Sequence, residues 1–168
     1  MFPDDIVALA EQVIDAARSR GIMVATAESC TGGMVGGALT AVSGSSHAVD
    51  RGFVTYSNAA KIEMLGVSKS LIESAGAVSE PVARAMADGA LARSDAAVVV
   101  SITGIAGPTG GTPEKPVGMV CFAWAQRDSG CEALTCQFSG TRAEVREQAV
   151  RLALSGTLKR VMAATLMA

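Results

Sequence analysis

Histidine is almost missing from this chain: His47 is the only one in 168 residues. It sits in a polar Gly44-Ser45-Ser46-His47 loop with no motif around it and reads as a solvated side chain. A Ser-His-Asp triad therefore has no placed base. The four cysteines, Cys30, Cys121, Cys131 and Cys136, show no Cys-x-x-Cys spacing, so no zinc or other catalytic metal site is expected. Aromatic residues make up 4% of the chain, too few for a base-stacking platform, and the net charge of −2 offers no basic field for nucleic acid. No apolar run approaches the roughly 18 residues of a membrane span. Phe2-Pro3-Asp4-Asp5 puts acid where a secretory leader carries basic residues, and the cysteines are few and scattered. The expected location is the reducing cytoplasm, with no membrane or nucleic-acid partner.

What is present is a hydrophobic content of 49%, rich in alanine and valine, enough for a single domain over 1–168 with a sizeable core. The chain is organised around Glu28-Ser29-Cys30-Thr31-Gly32-Gly33. An apolar run, 22–27, precedes this stretch as a strand, and a small-residue helix to about Val42 follows it. A strand that turns sharply into a helix holds side chains at the sheet edge and exposes backbone N–H groups. Ser29 and Cys30 are both nucleophile candidates, and Gly32 and Gly33 allow close backbone approach to a ligand. Alternatively, Thr31 or Ser29 is a helix cap and the glycines are packing devices.

The remaining elements alternate between helix and strand. Residues 4–20 carry Ile6, Leu9, Ala10, Val13 and Ala17 at helical spacing, with Asp4 as the expected cap and Gly21 beyond the end. Residues 53–56 read as a second strand. Ser57-Asn58 then caps a helix over 59–65. This places Tyr56 at a strand end and Lys61 one turn into a helix, the setting in which α/β folds keep their chemistry. Taken singly, Lys61 reads as a solvated lysine and Tyr56 as a half-buried ring. A short helix over 69–74 follows, then a longer one from Ser79 and Pro81 to about Arg93, with Val82, Ala85, Met86 and Gly89 as its buried stripe.

Residues 96–102 form the most apolar strand, expected to be central. The loop after it carries Thr103, Gly104, Gly107, Gly110, Gly111, Thr112 and Lys115. Its four glycines, three threonines and lysine have the composition of an anion cradle, though not the spacing of a Walker A motif. Strands over 117–126 and 131–139 form a hairpin around Arg127-Asp128-Ser129-Gly130. A register that sets Gln126 opposite Cys131 sets Cys121 opposite Cys136, with both thiols reduced. Thr141-Arg142-Ala143-Glu144 is a capping box for a helix to about Ala164. Arg142 and Arg146 share a face of that helix, with no acid at i±3 or i±4. A bound phosphate would remove their mutual repulsion; otherwise both are solvated.

The blocks AESCTGG (27–33), VTYSNAAKIEMLGV (54–67), GAVSEPVARAMADGA (76–90), SITGIAGPTGGTPEKPVG (101–118) and GTRAEVREQAVRLAL (140–154) resemble the C-terminal domain family of the competence/damage-inducible protein CinA, the nicotinamide-nucleotide amidohydrolases. They cover nearly the whole chain in order. One departure is Arg51, where relatives often have a second glycine before Gly52. The resemblance implies a three-layer α/β/α sandwich with a mixed, mainly parallel sheet and a C-terminal hairpin. It also implies hydrolysis of the carboxamide of nicotinamide mononucleotide by Ser29, Lys61 and Tyr56, without a cofactor. The nucleotide-hydrolysing activity of an N-terminal domain in two-domain relatives is not carried over.

Lys61 could serve as base only if neutral, its pKa brought from about 10.4 toward roughly 7–8. N–H groups over Thr31, Gly32 and Gly33 would stabilise the oxyanion. Two other readings stand beside this one: a non-catalytic nucleotide-binding module, which needs the 103–115 loop and the arginines but not Ser29 with Lys61, and a cysteine hydrolase using Cys30. A homo-oligomer is the expected assembly, fitted only weakly by the apolar surplus and the long last helix.

Overall fold

In the computed structural model, which describes residues 1–164, the apolar run expected as a strand over 96–102 carries β3 (Val98–Gly104), which starts and ends two residues later and is the middle strand of five. Its neighbours explain its composition. β1 (Val24–Glu28) lies parallel on one side, and β4 (Met119–Gln126) lies antiparallel on the other. β2 (Val49–Val54) pairs parallel with β1 at one edge, and β5 (Gly130–Gln137) pairs antiparallel with β4 at the other. The sheet is therefore mixed, parallel over β2-β1-β3 and antiparallel over β3-β4-β5.

Helices cover both faces. Val98, Val100 and Ile102 point to a core shared with α1 (Asp4–Arg20), α2 (Met34–Thr40) and α6 (Arg142–Ala163). The alternate residue Val99, with Ala25 and Ala27, faces Leu65, Val82 and Met86 of α3 (Asn58–Leu65) and α5 (Glu80–Ala92). α4 (Lys69–Ala75) completes that layer through Ile72. The buried stripe of α5 is Val82, Ala83, Met86, Ala87 and Ala90, with Ala85 only partly buried. Gly89 lets α5 approach α3, because a Cβ there would lie 2.0 Å from the Leu65 carbonyl oxygen. Among the described residues, no helix is long and apolar enough to cross a membrane.

Three sequence expectations shift. Pro3, not Asp4, is the N-cap of α1. Asp4 and Asp5 instead occupy its first turn, where carboxylates suit the helix dipole. The second strand is β2, over 49–54, because parallel pairing runs from Val24–Val49 to Glu28–Val54. An edge strand with sequence Val-Asp-Arg-Gly-Phe-Val has no clean alternation to read, and Tyr56 falls beyond its end. The hairpin pairs Gln126 with Gly130, whose φ of 81° closes a three-residue turn. That one-residue slip sets Cys121 opposite Thr135 and Cys136 opposite Val120, so the two thiols face opposite sides of the sheet. All four cysteines are free.

Candidate active site

The ends of the parallel strands bring the site together. Glu28 at the end of β1 pairs with Val54 of β2 and Ile102 of β3. The next residue, Ser29, is tied by its amide to the Ile102 carbonyl (2.9 Å), and its own carbonyl accepts from the Gly32 amide (3.0 Å). Gly32 and Gly33 have φ of 59° and 92°, a left-handed path that reverses the chain into α2 at low cost only for glycine.

Lys61 reaches this turn from α3. Ser57 caps that helix, its hydroxyl accepting from the Ala60 amide, and so sets the helix angle beside β2. The Lys61 ammonium nitrogen lies 3.1 Å from Ser29 Oγ and 3.1 Å from the Thr55 carbonyl oxygen. The side chain is 2% exposed and has no carboxylate partner among the described residues. Burial without a counter-ion disfavours the ammonium and lowers the Lys61 pKa below its ordinary 10.5. The same burial acts in the opposite sense on Cys30. Its thiol is pushed up to about 12, with the nearby Glu28 carboxylate adding to the effect. Burial thus favours the protonated form of the Cys30 thiol, while the Lys61 amine lies against Ser29.

Tyr56 is 61% exposed, not half-buried, and touches neither Ser29 nor Lys61 by a hydrogen bond among the described residues. It enters the site through Arg142, which donates to the Tyr56 hydroxyl (2.8 Å) and to the Gly107 carbonyl (2.9 Å). Arg146, one turn along α6, donates to the carbonyls of Cys30 (3.1 Å) and Thr31 (3.1 Å). The two arginines are therefore not simply solvated: Arg146 holds backbone of the Ser29 turn, and Arg142 holds the loop after β3 and Tyr56.

The loop after β3 divides. Gly104 ends the strand and Gly107 meets Arg142. Thr103 donates its hydroxyl to the Ala77 carbonyl (2.8 Å). Gly110 and Gly111 are exposed. Thr112 and Lys115 bond each other across a turn, and the Lys115 ammonium donates to the Ala75 carbonyl (2.6 Å). None of these last groups bonds to the Ser29 turn.

Two participants have no separate signal in the sequence. Glu28 is fully buried and accepts from the amides of Gly33 (3.0 Å), Val35 (3.1 Å) and Gly36 (2.8 Å). A carboxylate ending an apolar strand just before a glycine turn was the available clue. Thr55 supplies the carbonyl that orients Lys61, and no side-chain pattern could mark a backbone acceptor. The bonds at this turn also revise the set of free N–H groups. The Gly32 and Gly33 amides are committed, whereas among the described residues those of Cys30 and Thr31 have no acceptor. The hydroxyls of Thr31 and Thr55 are buried with no partner among the described residues.

The chain as a whole is similar to known proteins. Residues 6–161 match the CinA C-terminal domain. The chain is 52% identical to nicotinamide-nucleotide amidohydrolase PncC of Escherichia coli (strain K12), over 92% of this chain and 93% of that protein. It is 54% identical to a CinA-like protein of Anaeromyxobacter sp. (strain K), over 88% of this chain but only 36% of that longer protein. Among solved structures, the competence/damage inducible protein CihA of Agrobacterium tumefaciens superposes with a TM-score of 0.93 at 48% identity, over 96% of this chain and 98% of that one. A match through both layers and the sheet, at this identity, leaves one conclusion: the chain belongs to the CinA C-terminal domain family.

Proposed function

We propose that this protein hydrolyses the carboxamide of nicotinamide mononucleotide, giving nicotinate mononucleotide and ammonia, with Ser29 as nucleophile and Lys61 as base. The observation that carries the reading is the buried Lys61 nitrogen 3.1 Å from Ser29 Oγ, with no acid among the described residues to hold its charge. The PncC relatives named for this activity, at about half identity over most of the chain, support the substrate.

The chemistry follows from the contacts. Neutral Lys61 gives one N–H to the Thr55 carbonyl, which aims its lone pair at the Ser29 hydroxyl. Ser29 attacks the carboxamide carbon as its proton passes to Lys61. The oxyanion that forms faces the free amide of Cys30, where a good donor is worth about 3–4 kcal/mol. Lys61 then protonates the departing amine. Water, activated by the same lysine, attacks the acyl-enzyme and releases the acid. Tyr56 accepts a hydrogen bond from Arg142 and keeps its own proton free to relay or donate. A guanidinium has five N–H groups. Arg142 and Arg146 each use two on the protein, leaving three apiece for the substrate phosphate. Gly32 and Gly33 line one side of the bound nucleotide, with the buried Thr31 packed behind them. The loop from Thr103 to Lys115 lines the other, tied to Arg142 at Gly107.

A non-catalytic nucleotide-binding module would gain nothing from a desolvated lysine held against a serine, an arrangement that costs stability. The deciding experiment incubates purified protein with nicotinamide mononucleotide and measures ammonia and nicotinate mononucleotide. Release of both in equal amounts is expected. Tight binding of the nucleotide without release would establish the binding module instead.

A further inference from the structure

We infer that Glu28 is a positioning residue for Ser29: its buried carboxylate, by binding the Gly33, Val35 and Gly36 amides, fixes the turn in which Ser29 meets Lys61. The inference rests on the proposed roles of those two residues.

Glu28 is 0% exposed, so it touches neither solvent nor substrate and acts only through other groups. Among the described residues it has no lysine or arginine partner, and its charge is met by three backbone N–H groups at 2.8–3.1 Å. Helix starts ordinarily satisfy such amides with a side chain at the N-cap, in extended conformation. Here the N-cap is Gly33 at φ 92°, which has no side chain and makes no such bond. The acceptor must be brought in from elsewhere, and it comes from the strand on the other side of the turn.

That origin matters for the chemistry. Glu28 immediately precedes Ser29, and its carboxylate holds the residues just beyond Gly32. The bonds therefore close a ring around Ser29, Cys30, Thr31 and Gly32. Its backbone is pinned as well, because the Glu28 carbonyl accepts from the Thr55 amide (2.8 Å), next to the carbonyl that orients Lys61. On the opposite side of the turn, Arg146 takes the Cys30 and Thr31 carbonyls. The N–H groups beyond the turn go to an anion and two of its C=O groups go to a cation. The Cys30 and Thr31 amides are left over.

Glu28→Gln is nearly isosteric but replaces one acceptor oxygen with an NH2 that would face backbone N–H groups. Ammonia release from nicotinamide mononucleotide is measured for wild type and variant, with the near-UV signal of buried Trp124 confirming that both are folded. A displacement of about 1 Å at the nucleophile costs on the order of 100-fold, so kcat should fall by about that factor. KM should stay within about threefold, since the substrate contacts remain. A folded variant with wild-type kcat, or with KM raised and kcat held, overturns the inference. If Glu28→Gln does not fold, Glu28→Asp carries the test. It keeps the charge and both oxygens on a stem one methylene shorter, and a roughly tenfold loss of kcat is expected. An unchanged kcat there again overturns it. A wild-type protein that releases no ammonia overturns the proposed function first, and this inference with it.

Discussion

Two glycine-rich segments leave adjacent parallel strands at the same end of the sheet, and they are built differently. The turn after β1 is anchored by charged side chains from outside it: Glu28 on its amides, Arg146 on its carbonyls and Lys61 on its serine. The loop after β3 takes one charged side chain from outside, Arg142 on the Gly107 carbonyl, and otherwise bonds to itself and to the end of α4, as Thr112 with Lys115 and Lys115 with Ala75 show. Both have the glycine and threonine content of a ligand cradle. Composition reports where the backbone can bend, whereas the placement of buried charge reports where a side chain is held ready to react. If that contrast is right, changes in the first segment are severe and changes in the second are mild.

The largest effects are expected at the proposed reacting pair, Ser29 and Lys61. Ser29→Ala should abolish ammonia release in a folded protein, while Cys30→Ala keeps activity because its thiol is protonated at neutral pH. A dead Cys30→Ala with an active Ser29→Ala would reverse the assignment. Lys61→Met should also abolish activity yet raise the melting temperature, because a buried lysine without a counter-ion costs stability.

The pH dependence has the same origin. The folded-state pKa of Lys61 lies below its ordinary 10.5, so the unfolded chain binds more protons between the two values. Stability from this group therefore rises with pH through that window, and kcat rises with it as the neutral base forms. Lys61→Met should remove this contribution to the stability curve. Its persistence in the mutant would assign the titration to another group.

The parts of the fold that announce themselves locally were legible: the Thr141 capping box, Ser57 and Ser79 as caps, Gly21 beyond α1, and β3 as the central strand. What escaped depends on partners distant in sequence. The edge strand β2 takes its limits from β1 rather than from its own residues. The hairpin register turned on whether Gly130 belongs to the turn or the strand. At the site, the sequence put Ser29 at a strand-to-helix turn and Lys61 one turn into a helix, where Lys61 alone read as solvated. The burial that gives Lys61 its chemistry is a property of the assembled layers, and Glu28 could not be told from an ordinary strand-end acid until α2 was seen above it.

Arg146 sharpens the contrast, because the proposal gives it two tasks that one mutant can separate. Arg146→Ala removes its bonds to the Cys30 and Thr31 carbonyls and should slow every substrate by a common factor. It also removes the proposed phosphate contact, a charge-assisted bond worth about 1.5–3 kcal/mol, or roughly 10- to 150-fold in affinity. Nicotinamide mononucleotide should lose that much more kcat/KM than the phosphate-free riboside. Equal losses would leave Arg146 with the turn alone.

The smallest effect is expected at Lys115, and it tests the comparison from its weaker side. The ammonium is committed to the Ala75 carbonyl, and its amide to the Thr112 hydroxyl. Whatever Lys115 contributes to nucleotide binding then acts as a partly solvated charge, worth at most about 1 kcal/mol, or roughly fivefold. Lys115→Ala should lower kcat/KM for nicotinamide mononucleotide by no more than that, leave the riboside unchanged, and lose even this difference at high salt, where exposed charges are screened. The measurement is kcat/KM for both substrates at low and high ionic strength. A Lys115→Ala variant that weakens the mononucleotide more than Arg146→Ala does would invert the comparison. The loop after β3 would then be the phosphate seat, its internal bonds exchanged for phosphate oxygens when the nucleotide binds.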